Sequence, residues 1–305
     1  MPHKLYKILL IFTIVAILVA IPAFWLTFSA ATNLEVAFLD IGQGDSILIK
    51  TPFGQNILID GGPDDTVIKR LSENLAWWDK TIDLMILTHP HDDHVTGLID
   101  VINRYKVERI LYTGVVHDSP NYLFWLEKVR DRKISLTIID RPQTIQLGEN
   151  CQLEFIYPRQ SLLGKAVNNL NNSSIVAELV YGQTKFLLAG DIELEVEQVL
   201  TQLNPPLNPL PRGDFLGGEY KGVDLTAQVL KANHHGSDTS NIQEFLEAVK
   251  PEVVVIQVGA DNDFGHPSRR VIKRLERIGA KILRNDVDGT VRLISDGQKI
   301  SIIEN

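Results

Sequence analysis

Short apolar runs separated by glycine, proline and asparagine dominate the first half of the chain after residue 33. Runs of about four to eight such residues between turn residues are typical of β-strands, whereas longer runs with apolar positions three and four apart are typical of helices. The pattern predicts strands over residues 34–41, 45–51, 56–62, 83–88, 108–113 and 134–140. It predicts helices over residues 97–105 and 119–132, the second with Ser119 as N-cap and Pro120 in its first turn.

The second half of the chain repeats this organisation. Strands are predicted over residues 151–158, 173–182, 184–191, 252–259 and between 290 and 303, and a further apolar run at 224–233 leads into "HHGS". Helices are predicted over residues 192–203, 241–249 and 268–278. Two β-rich halves that both carry helices predict an α/β fold in which two sheets pack face to face with helices outside.

The N-terminal segment departs from this pattern, because no charged residue occurs from Ile8 through Leu34. About 20 apolar residues suffice to cross a bilayer. We interpret residues 1–32 as one apolar helix, which is either a signal peptide cleaved near residues 29–31 or a single transmembrane anchor. Because Lys4 and Lys7 precede the segment, the domain formed by residues 33–305 is expected outside the cytoplasm, membrane-anchored or secreted.

Residues 204–222, "NPPLNPLPRGDFLGGEYKG", form a long stretch rich in proline and glycine. Loops of this length in compact domains are usually functional or disordered. Because the stretch precedes "HHGS", a lid over a site is one interpretation, and a plain surface insertion is the other.

The charge and the cysteine content of the chain exclude some classes of protein. The net charge of −8 argues against a protein that coats nucleic acid, which would be basic overall, but it leaves room for an enzyme with a local basic cleft. Cys151 is the one cysteine of the sequence, which excludes an internal disulfide framework and a cysteine-rich zinc module.

Histidines and aspartates concentrate in "THPHDDHVTG", directly after the apolar run "DLMILT". Alternate residues of an extended segment point to the same side, so His89 and His91 are positioned to share one ion. Asp93 and His94, on the turn that enters the next helix, are positioned to face a second ion. Imidazole and carboxylate ligands together suit zinc, manganese or iron.

Further candidate ligands follow other apolar strands. Asp191 ends "FLLAGD" and offers a carboxylate that can bridge two ions, an arrangement that lowers the pKa of a shared water. His234 and His235 follow the run "LKAN"; we expect one of this pair to bind metal, and we favour His234. Asp60 in "ILIDGG" either orients a histidine ligand or caps its own turn.

In the order and content of these motifs the chain resembles the metallo-β-lactamase superfamily. More narrowly, "FLDIGQGDSILI", "LTHPHDDHVTGL", "FLLAGD", "LKANHHGSDTS" and "FGHPS" resemble the β-lactamase-like domain of the ComEC family of DNA-uptake competence proteins. The resemblance implies a four-layer αββα sandwich, a hydrolase domain over residues 33–305, and two divalent ions, Zn²⁺ or Mn²⁺.

The chain departs from these families in two respects. ComEC proteins are polytopic channels, whereas this sequence has one apolar segment, so any translocation channel would be a separate membrane partner. Most superfamily hydrolases carry a further histidine where this chain reads "NNLNNSSIV", in which Asn172 and Ser174 are candidates to support the site. The ion at His89 and His91 is therefore expected to be weakly held, or to be manganese.

Candidate residues for catalysis and substrate binding follow from these assignments. Asp93 and Asp191 would act at the metal-activated water, and His266 in "FGHPS" is a spare histidine placed to protonate a leaving oxygen or to contact phosphate. The predicted helix that follows carries exposed cations that suit a phosphodiester backbone, among them Arg269, Arg270 and Lys273.

The sequence thus favours a metal-dependent phosphodiesterase or nuclease that acts on single-stranded DNA, or on another phosphodiester, outside the cytoplasmic membrane. One alternative is a metallohydrolase of a phosphocholine ester, a lactone or a β-lactam, although the absent histidine counts against a zinc β-lactamase. Another is a non-catalytic DNA-binding or scaffold module, which the retention of every other ligand counts against.

Overall fold

The computed structural model describes residues 6–7, 10–19, 33–204 and 222–303. Residues 10–19 are helical and are labelled α1. Among the described residues, no helix is both long and apolar enough to cross a bilayer. The rest of the apolar segment, the cleavage site near residues 29–31 and the proline-rich residues 205–221 lie outside the described ranges. The anchor, the signal peptide and the lid therefore stay predictions.

The strands are named in chain order. They are β1 (Leu34–Phe38), β2 (Ile47–Lys50), β3 (Asn56–Ile59), β4 (Thr81–Ile82), β5 (Leu84–Ile86), β6 (Lys106–Val107), β7 (Arg109–Tyr112), β8 (Ser135–Ile138), β9 (Gln143–Gly148), β10 (Cys151–Tyr157), β11 (Val176–Tyr181), β12 (Thr184–Leu188), β13 (Val229–Lys231), β14 (Val253–Ile256), β15 (Lys281–Arg284), β16 (Val291–Ser295) and β17 (Ile300–Ile303).

These strands form two large sheets and one small one. The first large sheet has the order β17-β16-β1-β2-β3-β5-β7-β8, the second has the order β15-β14-β13-β12-β11-β10-β9, and β4 pairs with β6. Each large sheet combines an antiparallel part with a parallel part. The parallel strands are β3, β5, β7 and β8 in the first sheet, and β12 to β15 in the second. The carboxyl ends of the parallel strands within each sheet meet at one edge, where ligand sites of α/β folds commonly lie.

Helices cover the outer faces of both sheets. They are α2 (Thr66–Asn74), α3 (Asp92–Arg104), α4 (Pro120–Asp131), α5 (Leu194–Leu203), α6 (Gln243–Val249), α7 (Arg269–Arg277) and α8 (Asn285–Asp288). Short 3-10 turns occupy Asn171–Ser173 and Asn233–Gly236.

Three apolar clusters hold the layers together. Phe38 of the first sheet and Phe186 of the second belong to the cluster between the sheets. Trp125 on α4 joins the cluster between the first sheet and its helices, and Phe245 on α6 joins the one beneath the helices of the second sheet. Helices, sheet, sheet and helices therefore stack in four layers, which confirms the predicted αββα sandwich.

Six elements were not predicted from the sequence pattern, namely the two-residue strands β4 and β6, the strands β9 and β15, and the helices α2 and α8. The strand β9 has alternating exposed positions at the edge of its sheet, and β15 follows α7 directly after the turn at Gly279. Helix α2 buries only Val67 and Leu71, which is too sparse a pattern to indicate a helix. Short edge elements carry little hydrophobic signal because little of their surface is buried.

Candidate metal centre

The candidate ligands lie where strands end. Asp60 follows β3, the segment from His89 to His94 joins β5 to α3, Asp191 follows β12, and His235 follows β13. Strands of both sheets thus deliver polar side chains to the same edge of the sandwich. The chain enters each of these positions from a buried apolar strand, so the polar groups are held by rigid elements.

Four side chains converge on one point. Oδ2 of Asp191 lies 3.2 Å from Nε2 of His94 and 3.2 Å from Nε2 of His235. Oδ2 of Asp93 lies 3.2 Å from the same Nε2 of His235, and its Oδ1 lies 3.8 Å from Nε2 of His94. One ligand atom from each of the four residues lies within 4.8 Å of the others.

The two histidines of this cluster are held in matching orientations. His94 donates through Nδ1 to Oδ2 of Asp60 at 2.9 Å, and His235 donates through Nδ1 to the carbonyl of Gln257 at 2.8 Å. Both bonds direct Nε2 of the ring at Asp191. Histidines that bind metals are oriented in this way by a partner on the other ring nitrogen.

Asp60 holds His94 in place, which is one of the two roles predicted for it. Its carboxylate accepts bonds from the amide of Thr88 at 2.8 Å and from the hydroxyl of Thr88 at 2.6 Å, besides the bond from His94. Its backbone has a φ of 57°, in the left-handed region that residues other than glycine rarely adopt. The structure therefore fixes this carboxylate from several sides.

His235, rather than the favoured His234, lies in the cluster. His235 is 1% exposed, whereas the ring of His234 turns aside to Glu193, with Nδ1 3.1 Å from Oε1. Both histidines have positive φ, 46° and 51°, so the usual alternation of side chains does not apply here. The expectation for His234 is corrected on this ground.

His89 and His91 form a second pair of facing nitrogens. Nε2 of His89 lies 3.0 Å from Nδ1 of His91. The hydroxyl of Ser174 lies 3.2 Å from Nδ1 of His89 and accepts the amide of Asp191 at 3.1 Å, so Ser174 joins this pair to the main cluster. Asn172 instead hydrogen-bonds to the segment at Glu193, and contributes to the loop rather than to the histidines.

Sequence reasoning missed a buried lysine behind the cluster. Lys231 is 0% exposed and donates to Oδ1 of Asp191 at 3.0 Å and to the carbonyl of Gly190 at 2.9 Å. Its ammonium also forms an ion pair with Asp45, whose amide donates to the carbonyl of Asp93 at 3.2 Å. The lysine thereby occupies one oxygen of Asp191 and leaves the other for the histidines. The apolar run around Lys231 is the sequence signal of its burial.

The charges of the cluster shift its pKa values strongly. Burial alone would lower the pKa of His94, but Asp191, Asp93 and Asp60 raise it well above its usual value. For Asp191, burial alone would raise the pKa, but His235, Lys231 and His94 hold it well below its usual value. Asp191 is therefore ionised although it is buried, and its negative charge favours a divalent ion.

The cluster opens on a cavity of about 590 Å³. His91, His117, His234 and His266 line it together with the exposed ring of Phe264. The centroids of Phe264 and His266 are 5.9 Å apart, with the rings stacked at 16°.

The sequence profile of the Metallo-beta-lactamase superfamily matches residues 39–259, which include all of the cluster. The chain belongs to this superfamily. Several longer proteins contain a region similar to this domain. ComE operon protein 3 of Bacillus subtilis (strain 168) is 28% identical over 275 residues, which cover 85% of this chain and 32% of that protein. Competence protein ComA of Neisseria gonorrhoeae is 27% identical over 258 residues, 84% of this chain and 32% of that protein.

Recombination protein 2 of Haemophilus influenzae is a further relative, 24% identical over 264 residues that cover 85% of this chain and 28% of that protein. The chain thus spans about a third of the length of these relatives. The predicted resemblance to the ComEC family is confirmed for this portion.

Solved structures show the same fold. Igni18, a metallo hydrolase from Ignicoccus hospitalis, has a TM-score of 0.51 at 18% identity, covering 85% of this chain and 98% of that chain. CmlA, a diiron β-hydroxylase from Streptomyces venezuelae, has a TM-score of 0.51 at 14% identity, covering 88% of this chain and 54% of that chain.

The donor set of the metallo-β-lactamase domain fits a divalent ion. Ligands around one tetrahedral ion, each about 2.1 Å from it, lie roughly 3.4 Å apart. The 3.2 Å separations at Asp191 match this spacing. Nε2 of His235 is also buried without a hydrogen bond although it faces Asp93 and Asp191, and an ion held by these residues would satisfy it. Asp93, His94, Asp191 and His235 are thus a candidate site for one ion.

The predicted cations lie beside the cavity and not in its lining. Arg270 pairs with Asp238 at 3.2 Å, while Arg269 and Lys273 are exposed on α7. The helix begins at the N-cap Ser268, whose amide donates to the carbonyl of Gly236 at 2.9 Å. Helix α7 is therefore attached to the loop that carries His235, and its cations are available to a substrate longer than the cavity.

Proposed function

We propose that this metallo-β-lactamase domain is a metal-dependent phosphodiesterase that acts as a nuclease on single-stranded DNA. The observation that carries the proposal is the convergence of Asp93, His94, Asp191 and His235 at the floor of an open cavity. Relatives named as competence and recombination proteins favour DNA as the phosphodiester.

The cluster would hold one ion, and His89 with His91 would hold a second, weakly held ion. Zinc and manganese both suit these ligands. Such ions supply Lewis acidity that lowers the pKa of a water towards neutrality and stabilises negative charge on a phosphoryl oxygen. Lys231 occupies Oδ1 of Asp191 and leaves Oδ2 facing His94 and His235.

His266 would bind phosphate through its imidazole N–H. Burial lowers its pKa below the usual value, and the neighbouring His234 lowers it further, so the ring is neutral near pH 7. A neutral ring donates a hydrogen bond to a phosphoryl oxygen but is a poor source of a proton for a leaving group. Of the two predicted roles, contact with phosphate is therefore favoured.

A nuclease assay on the full chain in detergent micelles tests the proposal. End-labelled single-stranded DNA is incubated with the protein and Mn²⁺ or Zn²⁺, beside Asp191→Ala and the surface control Asp131→Ala, whose side chain pairs with Arg130 on the surface of α4. We expect metal-dependent cleavage that Asp191→Ala abolishes and Asp131→Ala retains. An absence of cleavage with either metal, from folded and metal-loaded protein, would refute the nuclease proposal.

A hydrolase of small substrates is the second candidate. The cavity volume of about 590 Å³ lies in the range that small-molecule pockets occupy. Phosphocholine esters, lactones and β-lactams are the substrates to assay if DNA is not cleaved.

The location proposed for the domain is the outer face of the cytoplasmic membrane. The apolar segment before residue 33 and the lysines that precede it support this assignment. In this arrangement residues 33–305 form the hydrolase domain, attached to the membrane or secreted, and a separate channel protein would pass the DNA strand.

A further inference from the structure

Two adjacent tryptophans lie on the surface of the domain, in the segment between α2 and β4. Trp77 and Trp78 are 81% and 70% exposed, and their rings meet edge to face with centroids 5.5 Å apart. They occupy the middle of a turn closed by a 2.8 Å bond from the amide of Asp79 to the carbonyl of Ala76. Exposed apolar surface of this kind marks contact with a protein or a membrane.

The turn is held firmly, so the two rings are kept outside. Oδ2 of Asp79 accepts a bond from Nδ2 of Asn56 at 2.7 Å, and its Oδ1 accepts the amide of Thr81 at 3.2 Å. On the other side of the turn, Nζ of Lys50 donates to the carbonyl of Asn74 at 3.1 Å. Both ends of the turn are therefore attached to β2 and β3.

The same contacts place the turn at the end of the domain that the apolar segment enters. Lys50 on β2 is the register partner of both Glu35 on β1 and Asn56 on β3. Because neighbouring strands are about 4.8 Å apart, Glu35 and Asn56 lie about 10 Å apart. Glu35 is the second residue of β1, directly after the uncharged segment that runs from Ile8 through Leu34.

The metal centre lies towards the opposite end of the strands. Asp60 is four residues after Asn56 along β3, a rise of about 13 Å at 3.3 Å per residue. Its side chain contacts His94 in the cluster, whereas Asn56 contacts the tryptophan turn. A surface that covers the two rings therefore leaves the cavity open on the far side.

We propose that Trp77 and Trp78 insert into the interfacial region of a phospholipid bilayer and orient the domain with its cavity facing away. Tryptophan favours this region because its ring is apolar and its N–H remains hydrogen-bonded. Exposed cations beside the turn, Lys80 and Arg104, line a depression next to α2 and suit anionic headgroups. This inference concerns attachment to the membrane and does not depend on the reaction catalysed.

Fluorescence quenching on the full chain tests the proposal. Trp25→Phe removes the tryptophan of the apolar segment and leaves the two turn residues and Trp125, which is 0% exposed. The protein is mixed with vesicles of phosphatidylglycerol and phosphatidylcholine brominated near the headgroup, and with unbrominated vesicles. Because two of the three remaining tryptophans lie in the turn, we expect up to about two-thirds of the emission to be quenched.

Two further variants of the Trp25→Phe protein locate the quenched residues. Adding Trp77→Ser and Trp78→Ser should abolish the quenching. The second variant carries Trp77→Phe, Trp78→Phe and Phe264→Trp, so that its exposed tryptophan lies at the cavity rim and serves as the reporter. The emission of this reporter should be equal in brominated and unbrominated vesicles. An unquenched Trp25→Phe protein would overturn the proposal and would favour a protein partner for the turn. Quenching of the reporter at the cavity rim would overturn the orientation.

Discussion

Replacement of Lys231 by methionine tests the role of the buried ammonium. The lysine donates to Asp191 and Gly190 and pairs with Asp45, and both carboxylates are at most 2% exposed. Methionine has a similar length but no charge, so the two carboxylates lose their common cation. Breaking a buried ion pair in this way costs about 3–5 kcal/mol.

The assay is chemical denaturation in the presence of EDTA. Lys106→Met is the matched control, because Lys106 forms a surface pair with Glu108 and is expected to lose less than about 1 kcal/mol. We expect Lys231→Met to lose about 3–5 kcal/mol, and Mn²⁺ to recover part of that loss by supplying positive charge beside Asp191. A loss in EDTA no larger than that of Lys106→Met would refute the reasoning.

Other predictions concern packing and pH. Gly97→Ala on α3 should lower the free energy of unfolding by about 1–3 kcal/mol, because the added Cβ would lie 2.0 Å from the carbonyl oxygen of Gly61. Thermal denaturation measures this loss, and a gain in stability would contradict the contact. Phe186→Ala should cost about 3–5 kcal/mol by the same measurement, because this ring is 0% exposed between the sheets, and a cost below about 1 kcal/mol would place it outside the core. Burial raises the pKa of Glu178 to about 7. The folded protein therefore holds the proton of this carboxyl group more tightly than the unfolded chain does, and the free energy of unfolding falls as the pH rises from about 4.5 through 7. Glu178→Gln should remove that part of the pH dependence, of order 2–3 kcal/mol between pH 5 and 8, and an unchanged dependence would refute the assignment.

The fold and most of the centre followed from local patterns. Asp60, Asp191 and the histidines after β5 each follow a buried apolar strand in the sequence. Because the residue that follows a strand of a central sheet lies at the sheet edge, their positions could be predicted. The sequence also placed Ser174 near the site, and the structure brings its hydroxyl to His89.

Other features depend on geometry that no linear pattern records. The choice between His234 and His235 is made by two residues with positive φ, which redirect side chains that are adjacent in sequence. Lys231 and Asp45 meet only because β13 and the turn after β1 come together in the folded domain. A lysine is usually exposed, so a buried one needs a tertiary partner that the sequence alone did not name.

Metal content tests the central claim most directly. The full chain is dialysed against Mn²⁺ or Zn²⁺, washed and analysed for bound metal, beside His235→Ala and its matched neighbour His234→Ala. The geometry predicts that wild type and His234→Ala retain a tightly bound ion, whereas His235→Ala loses it, because Nε2 of His235 faces both Asp93 and Asp191. Retention of the ion by His235→Ala, or its loss only in His234→Ala, would contradict the assigned centre.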